Sequence, residues 1–374
     1  MIRTFDLERI QSLHENQVLF NLTESGFHPY SINELLNRDQ KVEINTLQLG
    51  YGQTNGSVEL RRKIAGLYHN LDEDNIIVSN GSSEANFIAC HSLVEKGDEV
   101  AMMVPNYMQI WGIVEEMGAI PKAFHLLEEK SWAPDLDELR QIVNDKTKMI
   151  AICNPNNPTG NILTDSEMAE IVEIAESVGA WIYCDEVYRG AELSGIETPS
   201  FIGKYDKVLV TGGLSKAYAL PGLRLGWLAG PKETIENAWT YHDYTSISPG
   251  LISQKIAEFA LETELRNKIL TRNRELLRVN LKAMQKWVDS QEREYRFAPP
   301  KGGGMAFLSY DFELNSRAVS DYLREEHSLF IAAGEWFGME GFIRIGIGAE
   351  TEFLKMSLEL LEIGIEDLFT RNLL

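Results

Sequence analysis

The chain has 374 residues, 44% of them hydrophobic and 24% charged, which suits a large buried core divided over two or three domains. Its formal net charge of −21 repels phosphate backbones and anionic lipid, so nucleic-acid and membrane-surface binding are disfavoured, and an anionic ligand needs local cations. No apolar run is long enough to cross a bilayer, and the histidines and Cys90, Cys153 and Cys184 lack ligand spacing, so the expectation is a cytoplasmic protein with reduced thiols and no metal site.

In chain order, the first 45 or so residues are mixed, with a helical pattern in SINELLNR. From about residue 58 the pattern alternates. SVELRRKIAGLYHNL reads as a helix, NIIVSN as a short buried strand, and SSEANFIACHSLVEKG as a helix with a serine cap and a glycine stop. Strand DEVAMMVP, helix MQIWGIVEEMG, strand PKAFHLL and helix PDLDELRQIVND follow. After these come strand KMIAICNP, helix TDSEMAEIVEIAESVG, and the strands AWIYCDEV and KVLVTGG. Short β-rich runs alternating with amphipathic helices predict a mostly parallel, doubly wound α/β sheet. Residues 251 to 290 read as a helix pair leading into a smaller α+β domain built from GGGMAFLSY, SRAVSDYLREEH and FIRIGIG.

In an open parallel sheet, ligands bind beyond the carboxyl ends of the strands, so chemistry is expected to collect among the residues there. Gly81, Ser82 and Ser83 open a helix, which is either an anion site or an ordinary serine cap. Tyr107 follows another strand, as a ligand face or as packing. NPNNPTG, residues 154 to 160, contains two X-Pro steps that hold an extended loop and present its asparagines. Alternation puts Trp181, Tyr183, Asp185 and Val187 on one face, where a buried Asp185 requires a cationic or protonated partner. For Glu186, an exposed position past the strand end is an open reading. Lys216 sits in the glycine-flanked stretch TGGLSKAYALPGLRLGW with Arg224 after it. An anion cradle, a flat aromatic, an acid, an amide, a phenol and an amine together suit a phosphorylated, nitrogen-containing aromatic aldehyde, pyridoxal 5'-phosphate (PLP).

Seven stretches in order, YGQTNGSVELRRKIA, NGSSEA, PNY, NPNNPTG, DEVY, LSKAYALPGLRLGW and FIRIGIG, resemble the class I/II aminotransferases, the fold type I PLP-dependent enzymes. The resemblance spans nearly the whole chain. It implies an α/β fold with a large PLP-binding domain over 46–285 and a small domain formed by 1–45 with 286–374. It makes Lys216 the Schiff-base lysine and proton shuttle, and Asp185 the partner of the pyridinium nitrogen. Asn157 and Tyr188 would bond the ring's phenolic oxygen, while Tyr107 and Val187 would cover its two faces. Gly81, Ser82, Ser83, Ser215 and Arg224 would hold the phosphate. Tyr51 would reach the phosphate of a neighbouring subunit, which implies a homodimer with shared sites. Arg344 would grip the substrate α-carboxylate, with Gly26 and Asn157 bordering the substrate.

Two positions depart from the family pattern. Gly213 stands where a serine or threonine is usual, so one phosphate contact is lost or supplied by Ser215. The segment FNLTESGFHPY fits poorly, and Gly26 is displaced by one residue. The implied activity is transfer of an amino group between an L-amino acid and a 2-oxo acid. The alternative is a carbon–sulfur lyase or an arginine-modifying enzyme resembling capreomycidine synthase. LGYGQTNG imitates a dinucleotide-binding turn, but Gly50, Gly52 and Gly56 lack the GxGxxG spacing.

Overall fold

The computed structural model of the chain describes residues 2–291 and 295–370. Residues 1, 292–294 and 371–374, which fall in the stretches expected for the small domain, lie outside the described residues.

An eight-stranded sheet runs in the spatial order Ile76–Ser79, Gly226–Ala229, Val208–Gly213, Trp181–Asp185, Thr147–Cys153, Glu99–Val104, Ile120–Leu127 and Ala133–Pro134. Neighbours from Val208–Gly213 through Ile120–Leu127 are parallel. Gly226–Ala229 runs antiparallel to both of its neighbours, and Ala133–Pro134 is an antiparallel edge piece. The α/β expectation therefore holds, with these two short strands added to it. The central strands read as unbroken apolar runs because helices cover both faces. Ile182 and Cys184 join one core layer and Tyr183 the other, as a period of two requires.

Local signals account for the helix limits. Asp165–Val178 starts at Thr164, whose hydroxyl accepts from Glu167 N–H while Glu167 reaches back, and it ends at Gly179 with φ +69°. The helix Ser82–Leu93 differs from expectation: its cap is Gly81, at φ +83°, with no side-chain capping bond, and it stops at Val94. Its first N–H groups are thus left for a ligand. SINELLNR divides into Ile32–Leu35 and the start of Arg38–Thr46, because Asn37 caps a new helix. The expected helix pair is Leu251–Ala260 and Thr263–Ser290. Helices Asp6–His14 and Thr351–Thr370 lie where no helix was predicted.

A second, four-stranded antiparallel sheet contains Tyr295–Phe297, Met305–Tyr310, Phe342–Gly346 and Ala332–Ala333. The N-terminal segment lies along it. Phe20–Asn21 pairs in parallel with Leu329–Phe330, Gly346 N–H donates to the Leu22 carbonyl at 2.6 Å, and His28 N–H donates to that of Gly348 at 2.8 Å. A Cβ at Gly346 or Gly348 would strike the carbonyls of Glu24 and Gly26, so glycine is needed for this close approach. Residues 22 to 28 are thereby carried over the carboxyl ends of the large sheet.

Candidate active site

Five strands of the large sheet, Ile76–Ser79, Glu99–Val104, Thr147–Cys153, Trp181–Asp185 and Val208–Gly213, end along one edge. A cavity of about 380 Å³ lies beyond these ends. Ser82 and Ser83, Tyr107, Asn157, Asp185, Val187 and Tyr188, Ser215 and Lys216 all line it, with Arg224 and Arg344. Gly81 is placed beside it by Arg224, because a Cβ at Gly81 would run into that guanidinium.

At one end the cavity is built for an anion. The uncapped N-terminus of Ser82–Leu93 presents N–H groups together with the two serine hydroxyls. Arg224 follows the short turn Pro221–Leu223 in the left-handed conformation, at φ +48°, and its Nη1 donates to Ser215 Oγ at 3.3 Å. Gly213 pairs with Gly226 at the strand end, and a Cβ there would lie 3.7 Å from that of Ser82. The position therefore faces the same cradle, and Ser215 supplies the nearby hydroxyl.

Asp185 lies in the cavity floor, 8% exposed. Burial pushes its pKa up to about 6, against the Val187 N–H at 3.1 Å, the Asn86 amide and the charge of Lys216. Asn86 in turn accepts from the Tyr183 hydroxyl at 2.5 Å and donates to Gln109 at 2.9 Å. Asn86 was not anticipated, since one asparagine inside a helical pattern gives no sign of what it faces. Glu186 is also buried, contrary to the exposed reading. It accepts from the Ser200 hydroxyl at 2.6 Å, lies 3.9 Å from Arg189, and burial pushes its pKa up to about 7.

On the opposite side is Arg344, 2% exposed, on the strand Phe342–Gly346. Its Nη1 donates to Asn157 Oδ1 at 2.9 Å, its Nη2 donates to the Thr23 carbonyl, and its Nε has no partner among the described residues. Burial draws its pKa below the ordinary guanidinium value, while Tyr188, Glu24 and Glu8 act the other way. The Tyr188 hydroxyl donates to Ser25 Oγ at 2.8 Å. The Tyr107 hydroxyl donates to Glu8 at 2.6 Å, and burial first, then Glu8, raises its pKa. Lys216 Nζ lies 3.9 Å from Glu24 Oε2.

Two predicted residues stand apart. Gly26 packs on the lysine itself, since a Cβ there would lie 3.3 Å from the Ser215 carbonyl and 3.8 Å from Lys216 Cα, so it abuts the chain beneath the site. Tyr51 is 94% exposed and is not among the residues lining the cavity. The structure also brings in Glu8, Gln11, Ser12 and Glu15 from the first helix, with Glu24 and Ser25. Their signal was readable in part, because positions 8, 11, 12 and 15 share one helical face.

The chain is similar to known proteins over nearly its whole length. The profile of the family described as Aminotransferase class I and II matches residues 20–360. Capreomycidine synthase of Streptomyces vinaceus is 28% identical over 351 residues, covering 91% of this chain and 88% of that protein. Aromatic-amino-acid aminotransferase 2 of Thermococcus litoralis is 27% identical over 324 residues, 83% of each. The crystal structure of a PLP-dependent aminotransferase from Streptococcus suis superposes with a TM-score of 0.92, 32% identity and 98% coverage of both chains.

Proposed function

Because the chain belongs to the class I and II aminotransferases, whose cofactor is pyridoxal 5'-phosphate, we propose that it moves an amino group between an L-amino acid and a 2-oxo acid. The single observation carrying this reading is one cavity lined by Lys216, the buried Asp185 and Arg344 together.

The residues fit the cofactor. Gly81, held at φ +83° against the Arg224 guanidinium, opens a cradle of N–H groups, hydroxyls and a guanidinium suited to a phosphate. Asp185 is a buried carboxylate with no ion pair among the described residues, and a protonated ring nitrogen would relieve it. Bound there, the cofactor supplies an aldehyde that condenses with amines and a ring that accepts electron density.

The chain's own side chains supply the rest. Ser82, Ser83, Ser215 and Arg224 hold the phosphate, and Asp185 keeps the proton on the ring nitrogen. Arg344 binds the substrate carboxylate, its plane fixed by Asn157 and the Thr23 carbonyl. The Nζ amine of Lys216, which lines the same cavity, would accept the proton lost from the substrate Cα and hold it on that nitrogen. Tyr107 and Val187 would cover the ring's two faces, and the helix Asp6–His14 borders the mouth. Three buried, unpaired thiols support a cytoplasmic location, and the exposed Tyr51 supports a dimer in which it reaches the partner's phosphate.

Similarity to capreomycidine synthase supports a second reading, a lyase or cyclising reaction that begins with the same loss of the Cα proton. Incubating the enzyme with single amino acids, with and without a 2-oxo acid acceptor, separates the two. New amino acid formed only with acceptor supports transfer. Ammonia released without acceptor overturns it.

A further inference from the structure

An apolar core layer of the large domain carries a polar insert. Tyr183 packs in a cluster with Ile77, Ala85, Ala89, Met102 and Leu228, and its hydroxyl meets two more fully buried polar groups, Asn86 and Thr211. Burying three such groups is costly unless each finds a partner, and here they find one another. Strand period and register set the arrangement. Tyr183 and Asp185 share one face of Trp181–Asp185, and Thr211 is the register partner of Asp185 on the neighbouring Val208–Gly213. Asn86 lies one turn after Ser82 and Ser83, on the helix whose start faces the anion end of the cavity.

These bonds have one consistent direction. Asn86 Oδ1 can only accept, so the Tyr183 proton goes to it at 2.5 Å, and in the contact between Tyr183 and Thr211 the threonine donates. With its oxygen so engaged, the Asn86 amide turns its nitrogen to Gln109 Oε1 at 2.9 Å and to Asp185. Gln109 Nε2 then donates to the Ser83 carbonyl at 3.0 Å. The chain of donors therefore starts on the strand that leads to Lys216 and passes through Tyr183 to Asn86. There it branches, to Asp185 and to the anion cradle. A flipped amide would set Oδ1 against the carboxylate, acceptor facing acceptor, and Tyr183 prevents the flip. Together with the Val187 N–H at 3.1 Å, the Asn86 bond favours the charged form of Asp185 against its burial.

We propose that Asn86 is a positioning residue for the cofactor's ring: oriented by Tyr183 and Thr211, its amide donates to Asp185 and keeps that carboxylate ionised toward the ring nitrogen. None of the three lines the cavity, so they act only through Asp185. This rests on the reading above that sets Asp185 against the ring nitrogen. The test loads the enzyme with PLP carrying nitrogen-15 in its ring and reads that nitrogen's NMR position at near-neutral pH. The native protein is compared with Asn86→Leu and Tyr183→Phe. In the native protein the nitrogen is expected at the protonated position. Asn86→Leu keeps the bulk and removes the donor. The ratio of neutral to protonated nitrogen is expected to rise about tenfold, the scale of one hydrogen bond to a charged group. Tyr183→Phe, which frees the amide to flip, is expected to raise the ratio several-fold, and cofactor loss on dialysis should quicken in the same order. A nitrogen equally protonated in both variants overturns the proposal, even where both melt at lower temperature, because a purely structural role costs stability without moving this signal. If Asn86→Leu does not fold, an unmoved signal in Tyr183→Phe overturns it. A native nitrogen found neutral overturns the placement of the ring against Asp185, and the role of Asn86 with it. A protonated native nitrogen, unmoved in the variants, overturns the role of Asn86 alone.

Discussion

Asn157 and Arg344 are 187 residues apart in sequence, yet Arg344 Nη1 donates to Asn157 Oδ1 at 2.9 Å. The bond ties the loop after Thr147–Cys153 to the sheet strand Phe342–Gly346, and it orients a buried cation toward the cavity. It also leaves the Asn157 amide nitrogen free to donate.

Asn157→Ala would leave the guanidinium with the Thr23 carbonyl alone. The loss is about 1–3 kcal/mol, to be seen as a roughly tenfold or greater rise in KM for the amino acid and a lower Tm. Arg344→Ala should cost more, about 2–5 kcal/mol in amino-acid binding. Steady-state kinetics with thermal melts check both. An unchanged KM in the two variants would mean that the carboxylate docks elsewhere.

Lys216→Ala should remove the cofactor's visible absorbance band and all turnover while the protein still folds, since this side chain lines the cavity rather than the core. Borohydride treatment of the native enzyme followed by peptide mass mapping should mark position 216. A mark on any other lysine refutes the assignment.

Asp185 sets a pH dependence of stability in the cofactor-free protein. Its folded pKa of about 6 lies above the ordinary 3.8, so the folded state binds more protons in that window, and stability falls as pH rises from about 4 to 6. The shift is worth about 3 kcal/mol, and Glu186, raised to about 7, extends the fall upward with the same sign. Denaturant titrations between about pH 4.5 and 8 should therefore show declining stability, with a shallower decline in Asp185→Asn. An identical slope in the variant removes this role for Asp185.

Tyr51, 94% exposed, lies near other exposed apolar positions in sequence, such as Leu49. Sedimentation should show a dimer, and Tyr51→Phe should weaken cofactor retention on dialysis by removing a phosphate donor. A monomer with full activity would disprove the shared site.

The order of strands and helices was legible because each has its own period and punctuation, as the strand Trp181–Asp185 and the capped helix Asp165–Val178 show. So was the residue set Lys216, Asp185, Asn157, Tyr188 and Arg224, because strand ends of one parallel sheet must meet. The antiparallel Gly226–Ala229 was missed: four apolar residues beside a glycine-rich turn read equally as strand or loop. The serine cap was misplaced because Gly81, at φ +83°, takes the cap position without a side chain.

By itself, then, the sequence determined the α/β plan, the cofactor and most of the residues that line the cavity, since these follow from local periodicity and from motifs read along one chain. Tertiary structure alone decided that Glu8, Glu15 and Glu24 line the cavity, that Asn86 stands beside Asp185, and that Glu186 is buried. The reason is physical. Periodicity tells which face of an element is covered, but the partner covering it is chosen by packing between segments far apart in the chain, and burial and charge at the site follow from that choice.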